Sequence, residues 1–147
     1  MLFRSPATLD QKGCVYSPHV IGVRIGQKLA ISNSDPTTHN VHPMPKANRE
    51  WNQSQPPKGQ AIEKEFGRPE VMIAVKCNVH PWMRSYIGVV DHPFYAVTGD
   101  TGAFEIKGLP PGEYTLEAWH EKFGAAEQKV TLAASASQAV EFSFKGE

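Results

Sequence analysis

Hydrophobic side chains recur along this chain with a period of two, in short runs broken by Gly, Pro, Asn and Asp. Val20 to Ile25 places Ile21, Val23 and Ile25 on one face, and Gly26-Gln27 reads as a turn into a second strand carrying Leu29 and Ile31. That pair has the signature of a hairpin. Residues 1 to 12 read as a leader or an edge strand. Residues 43 to 60 hold four prolines, Pro43, Pro45, Pro56 and Pro57, which predicts an irregular excursion rather than a core strand. Ile62, Lys64 and Phe66 alternate with Glu63 and Glu65. Val71, Ile73 and Val75 share a face, and Ile87 to Val90 continue the pattern. Further on, Phe104 with Ile106, then Tyr114, Leu116 and Ala118, then Val130 with Leu132, and last Val140, Phe142 and Phe144 each predict a strand. No stretch holds a helical apolar period for three turns. The expected class is all-β, with short strands and turn signals spaced as in a small β-sandwich.

Composition narrows the function classes. The 147 residues carry 15 basic and 15 acidic side chains, a formal charge of zero, and Lys and Arg do not cluster. There is no electrostatic footprint for nucleic acid. No apolar run is long enough for a membrane-spanning helix. The opening Met-Leu-Phe-Arg-Ser-Pro lacks the charged-then-apolar order of a signal peptide, which predicts either a cytoplasmic chain or a mature form of an exported one. Two cysteines, Cys14 and Cys77, are too few to fix the redox compartment.

The chemistry concentrates in Cys77-Asn-Val-His80-Pro-Trp-Met83, which follows the apolar run Val71 to Val75. A thiolate, an imidazole and a thioether lie within seven residues, and a strand ending in a tight loop can turn all three to one point. A further vertex is available upstream in Thr38-His39-Asn40-Val41-His42. Two imidazoles, one thiolate and a weak axial thioether suit copper, because sulfur ligands favour Cu(I) while imidazole tolerates both oxidation states. Zinc needs no thioether and more often shows C-x-x-C or H-x3-H spacing. His42 falls on the strand face opposite His39 and reads as an outer or surface residue. Met44 is a rival thioether but sits between prolines. Cys14 and His19 could form a second metal site with His42 or His92. Taken alone, Cys14 reads as a buried thiol on the first strand and His19 as an edge residue.

With those motifs in view, residues 14 to 91 resemble a cupredoxin of the plastocyanin type, whose amicyanin branch reads P-H-N-V-H and then C-T-P-H-P-F-M-R. The resemblance implies His39, Cys77 and His80 as copper ligands, Met83 as the axial ligand, and Asn40 bonded across to the Cys77 loop. This chain departs from the pattern at Thr38, at Pro43 and in the Ala74-Val75-Lys76 approach to Cys77. Phe104 to His120, with Gly108-Leu-Pro-Pro-Gly112-Glu-Tyr114, is similar to the carboxypeptidase-regulatory-like, or transthyretin-like, β-sandwich. Together the resemblances imply a Greek-key β-sandwich followed by a small β-sandwich extension, divided as residues 1–91, binding copper, and 92–147. The first resemblance implies single-electron transfer through one type 1 copper ion, in the periplasm or another exported setting. The redox partner would meet an apolar patch around His80 and Trp82, with Pro43, Pro45 and Pro81 as its collar. A copper carrier, or an accessory subunit of a larger redox complex, uses the same ligands. Nothing in the chain predicts an enzyme: no nucleophile stands beside a histidine, and there are no further His-rich sites for additional coppers.

Overall fold

The computed structural model describes residues 5–146 and divides the chain into two compact units, Met1–Phe104 and Glu105–Glu147. Among the described residues every regular element is a strand. In the first unit, β1 (Ala7–Gln11), β2 (Tyr16–Ser17), β4 (Leu29–Asn33) and β7 (Ile62–Lys64) form one sheet in the order β2-β1-β4-β7. The facing sheet runs β3-β9-β8-β5-β6, from β3 (Val20–Arg24), β9 (Arg84–Val90), β8 (Glu70–Lys76), β5 (His39–Met44) and β6 (Gln53–Gln55). The β1–β4 and β3–β9 pairs are parallel, and the others are antiparallel.

Leu9, Leu29 and Ile31 from the first sheet and Val23, Ile73, Val75, Ile87 and Val89 from the second belong to one buried cluster. Each such side chain withdrawn from water contributes about 1.5–3 kcal/mol before entropy is counted. Ile25, expected inward with Ile21 and Val23, lies past the end of β3 and is 38% exposed, but within this cluster the alternation does mark the inward faces. Its pairing partners differ from the simplest expectation. β3 and β4 do not form a hairpin: Gly26, at φ 73°, turns the chain from one sheet into the other. Both strands present apolar faces, and facing across the core buries them more completely than pairing edge to edge.

Three other expectations change. Residues 7–11 are not an edge, because β1 lies between β2 and β4, with Leu9 and Gln11 wholly buried. A polar residue at 11 hid this strand. Its side-chain NH2 donates inside to Gln55 Oε1 at 2.7 Å and to the Ser32 carbonyl at 3.0 Å, while its buried Oε1 has no partner among the described residues. Val71 does not join Ile73 in the core and is 37% exposed. β8 has one residue more than β9 between the pairs Glu70–Val89 and Ile73–Ile87, and Met72 takes φ 61°, so a bulge turns Val71 outward. The 43–60 excursion contains the short β6, which pairs His39, Asn40 and Val41 with Gln55, Ser54 and Gln53.

Among its described residues the second unit holds one antiparallel hairpin, β10 (Gly112–His120) with β11 (Gly124–Leu132), registered from Gly112–Leu132 to His120–Gly124. Tyr114, Leu116 and Ala118 are half-buried on one face, as the alternation requires. Residues 104–106 and 140–144 are not strands. Phe144 instead lies against His120 and Phe123, with ring centroids 5.6 and 6.4 Å away.

Candidate metal centre

The site is built where β5 begins and β8 ends. His42 pairs with Lys76 in the antiparallel β5–β8 ladder, so His39 and Cys77 emerge at the same end of the sheet. Tyr16 ties these two chain segments together: its hydroxyl donates to the carbonyls of Asn40, at 2.6 Å, and Lys76, at 3.1 Å. Burial pushes that phenol above its ordinary pKa, and the charge of Cys77 adds to the shift, so Tyr16 stays a donor. Asn40 Oδ1 accepts the Asn78 N–H at 2.5 Å, holding the Cys77 loop to β5. The loop closes on itself where the Met83 N–H donates to the His80 carbonyl at 3.0 Å. β9 begins at the next residue, Arg84.

His39, Cys77 and Met83 are buried, and His80 is half-buried. The Nδ1 atoms of His39 and His80 stand 3.0 Å apart, and Cys77 Sγ is 3.9 Å from His80 Nδ1. On its other edge, His80 Nε2 lies 3.9 Å from Cys14 Sγ. Donor atoms of Cys14, His39 and His80 all fall within 4.8 Å of one another. The spacings suit a metal: at Zn-like bond lengths, sulfur and nitrogen on one ion sit about 3.5 Å apart at a tetrahedral angle and about 4.3 Å apart when opposite. Both cysteines are free.

Asp35 organises His39 from behind. Its Oδ2 is 2.7 Å from His39 Nε2 and accepts the Cys14 N–H at 2.9 Å, while Oδ1 accepts the Gly13 N–H at 2.6 Å. Burial pushes the carboxyl's pKa up. The hydrogen bonds from Cys14, His39 and Gly13, with the charge of His39, outweigh it and hold Asp35 below the ordinary aspartate value. A carboxylate there fixes the Nε2–H tautomer of His39 and leaves Nδ1 free to bind. Asp35 stands outside the Cys77 and His39 motifs. Its signal was the four-residue spacing to His39, together with a Gly-Cys turn needing an acceptor.

Cys14 also differs from expectation. It is not buried on the first strand but half-buried in the loop between β1 and β2, and its companions are His39 and His80. His19 lies with its ring against Tyr86, 5.6 Å between centroids. His42 faces away and pairs with Glu50 at 2.7 Å. His92 Nδ1 accepts the Phe94 N–H. Around His80 the surface is apolar: Trp82 is 64% exposed, Val79 58% and Val15 52%. The Trp82 ring sits 5.1 Å from that of His80, and its indole N–H donates to the Cys14 carbonyl at 2.8 Å. Pro81 is exposed there. Pro43, expected in this collar, is buried in β5, and Pro45 is half-buried.

The two-sheet topology can be set beside solved structures. A copper-containing nitrite reductase from Thermus scotoductus aligns with a TM-score of 0.56 at 19% identity, covering 62% of this chain and 24% of that one. A reduced amicyanin variant aligns with a TM-score of 0.51 at 22% identity, over 58% of this chain and 82% of its own. The first unit has a cupredoxin fold. A second amicyanin variant, in its Cu(I) form at pH 4, gives 0.51 at 23% identity, over 60% and 86% of the two chains. The chain thus spans about a quarter of the nitrite reductase it matches and corresponds to most of an amicyanin. The family model of the carboxypeptidase regulatory-like domain matches residues 87–145, beginning within β9 of the cupredoxin-fold unit. No curated protein matches the sequence. No helix among the described residues is long and apolar enough to cross a membrane.

Proposed function

We propose that this protein is a single-electron carrier with one type 1 copper ion held by His39, Cys77, His80 and Met83. The observation that carries the reading is that His80 Nδ1 stands 3.0 Å from His39 Nδ1 and 3.9 Å from Cys77 Sγ, at the end of a cupredoxin sheet. The donor chemistry fits: two neutral imidazoles, one thiolate and a buried thioether match the trigonal set with a weak axial sulfur. Copper bound there supplies a one-electron Cu(I)/Cu(II) couple.

The chain's own groups do the rest. Asp35 and the β5–β6 pairing hold His39 from behind, so the pocket does not rearrange to suit either oxidation state. Buried Cys77 and Met83 keep water from the sulfur ligands. Half-buried His80, with Trp82 beside it, connects this interior to the surface. Trp82, Val79 and Val15 give an apolar contact of the modest size that transient redox encounters use. At zero net charge, long-range steering toward the redox protein is weak. We assign no enzymatic step to the chain and place it in an exported, periplasm-like setting. Spectroelectrochemical titration of the copper-loaded protein tests the reading. The account expects a reversible one-electron wave; copper that binds but cannot be cycled would leave a carrier or accessory role in its place.

A further inference from the structure

Cys14 is the thiol for which electron transfer has no task. Its backbone is pinned on both sides, the N–H to Asp35 Oδ2 at 2.9 Å and the carbonyl by the Trp82 indole at 2.8 Å. Its Sγ stands 3.9 Å from His80 Nε2. The His80 ring therefore stands between two thiols, with Nδ1 toward Cys77 and Nε2 toward Cys14, at the same 3.9 Å. Each separation lies between the spans of about 3.5 and about 4.3 Å expected for a sulfur and a nitrogen sharing one metal. We propose that Cys14 Sγ and His80 Nε2 form a second, outer position for a soft monovalent ion of the Cu(I) class, across the ring from the inner copper. The proposal rests on the ligand assignment above for the inner position only.

The chemistry selects the ion. One thiolate and one imidazole favour Cu(I) over harder divalent ions, and Cu(I) accepts low coordination numbers. Asp35 is not a third ligand, because its oxygens already face the N–H groups of Gly13 and Cys14 and the His39 ring. Binding releases the thiol proton of Cys14. With both positions filled, the remaining ring proton of His80 also leaves, so an imidazolate bridges the two ions, and no electron is transferred. Cys14 and His80 are both half-buried, which leaves the outer position open on the solvent side.

Silver(I) is a redox-inert probe of this site. Native mass spectrometry of the intact protein should count about two Ag(I) per chain for the wild type and about one each for Cys14→Ser and Cys77→Ser. Ag(I) should also block iodoacetamide alkylation of Cys14 in the Cys77→Ser protein, a readout that does not depend on Cys14→Ser folding. A wild type that takes a single Ag(I), or Cys14 alkylation that Ag(I) leaves unchanged, overturns the outer position. The two readings fail separately. A wild type with two Ag(I) that never turns blue with Cu(II) sinks the electron-transfer reading and keeps this one. A blue wild type with one Ag(I) does the reverse.

Discussion

In the first unit, Leu9, Leu29, Ile31, Val23 and Val89 reach zero exposure, and so do the polar Gln11 and His39. In the second, no side chain among the described residues is fully buried, although β10 alternates as regularly as any strand in the molecule. The difference lies in what each strand faces. β1, β4 and β7 face β3, β8 and β9 across a common core, so apolar burial accumulates and the polar groups caught inside must find partners. β10 and β11 pair only with each other, and a two-stranded hairpin has one sheet face with little to cover it. Regular alternation therefore predicts a strand but not a core. A rigid donor set needs the core, because a histidine ring is fixed only when its second nitrogen is also held.

Truncation across the two units puts that contrast to the sharpest test. Leu9→Ala should cost about 2–5 kcal/mol of unfolding free energy in urea, as expected for a sealed core position. Leu116→Ala, on the half-buried face of β10, should cost about 1 kcal/mol. Equal losses would mean that the hairpin is packed as tightly as the sandwich.

The next effect concerns the support behind the donors. Asp35→Asn removes the carboxylate on His39 Nε2 and should weaken copper binding by about 10- to 100-fold, read by competition with a chelator. Glu117→Gln, whose carboxylate meets the indole of Trp119 at 3.1 Å in the second unit, should leave copper affinity unchanged. An effect of similar size from Glu117→Gln would sever affinity from the buried shell.

Acid titration of the metal-free protein refines the same point. Asp35 has a folded pKa below its ordinary value of 3.8, so its ionised form adds stability above that pH. The contribution is lost as pH falls through the lower folded value. The stability gap between wild type and Asp35→Asn should therefore be constant near neutrality and shrink below about pH 4. A gap that widens in acid would reverse the sign and contradict the assigned hydrogen bonds. The smallest shift is expected at the axial position. Met83→Gln should lower the reduction potential, because a thioether favours Cu(I), and Met44→Gln, in β5, should move it much less.

These contrasts also explain which features were legible in the sequence. His39, Cys77, His80 and Met83 are close in sequence to strand ends, and strand ends are visible in alternation and turn residues, so their segments could be placed at one end of a sandwich. Cys14 and Asp35 reach the site through loops whose positions depend on the β1–β4 parallel pairing. No local pattern encodes a parallel partner 22 residues away, such as Ala7 with Leu29. The bulge at Val71 and the buried amide of Gln11 were hidden for a related reason. Each breaks period-two alternation, and each is stable only because of residues contributed by other strands.

The central claim is that Cys77 is the thiolate of a blue copper centre, and the visible absorption and EPR spectra of the copper(II)-loaded Cys77→Ser protein test it most directly. The account predicts that the intense thiolate-to-copper band of the wild type disappears while the far-UV circular dichroism of the β-fold is kept, since a serine oxygen cannot replace the covalent copper–sulfur bond. A Cys77→Ser protein that stays blue, or a band that Cys14→Ser bleaches while Cys77→Ser does not, would contradict it.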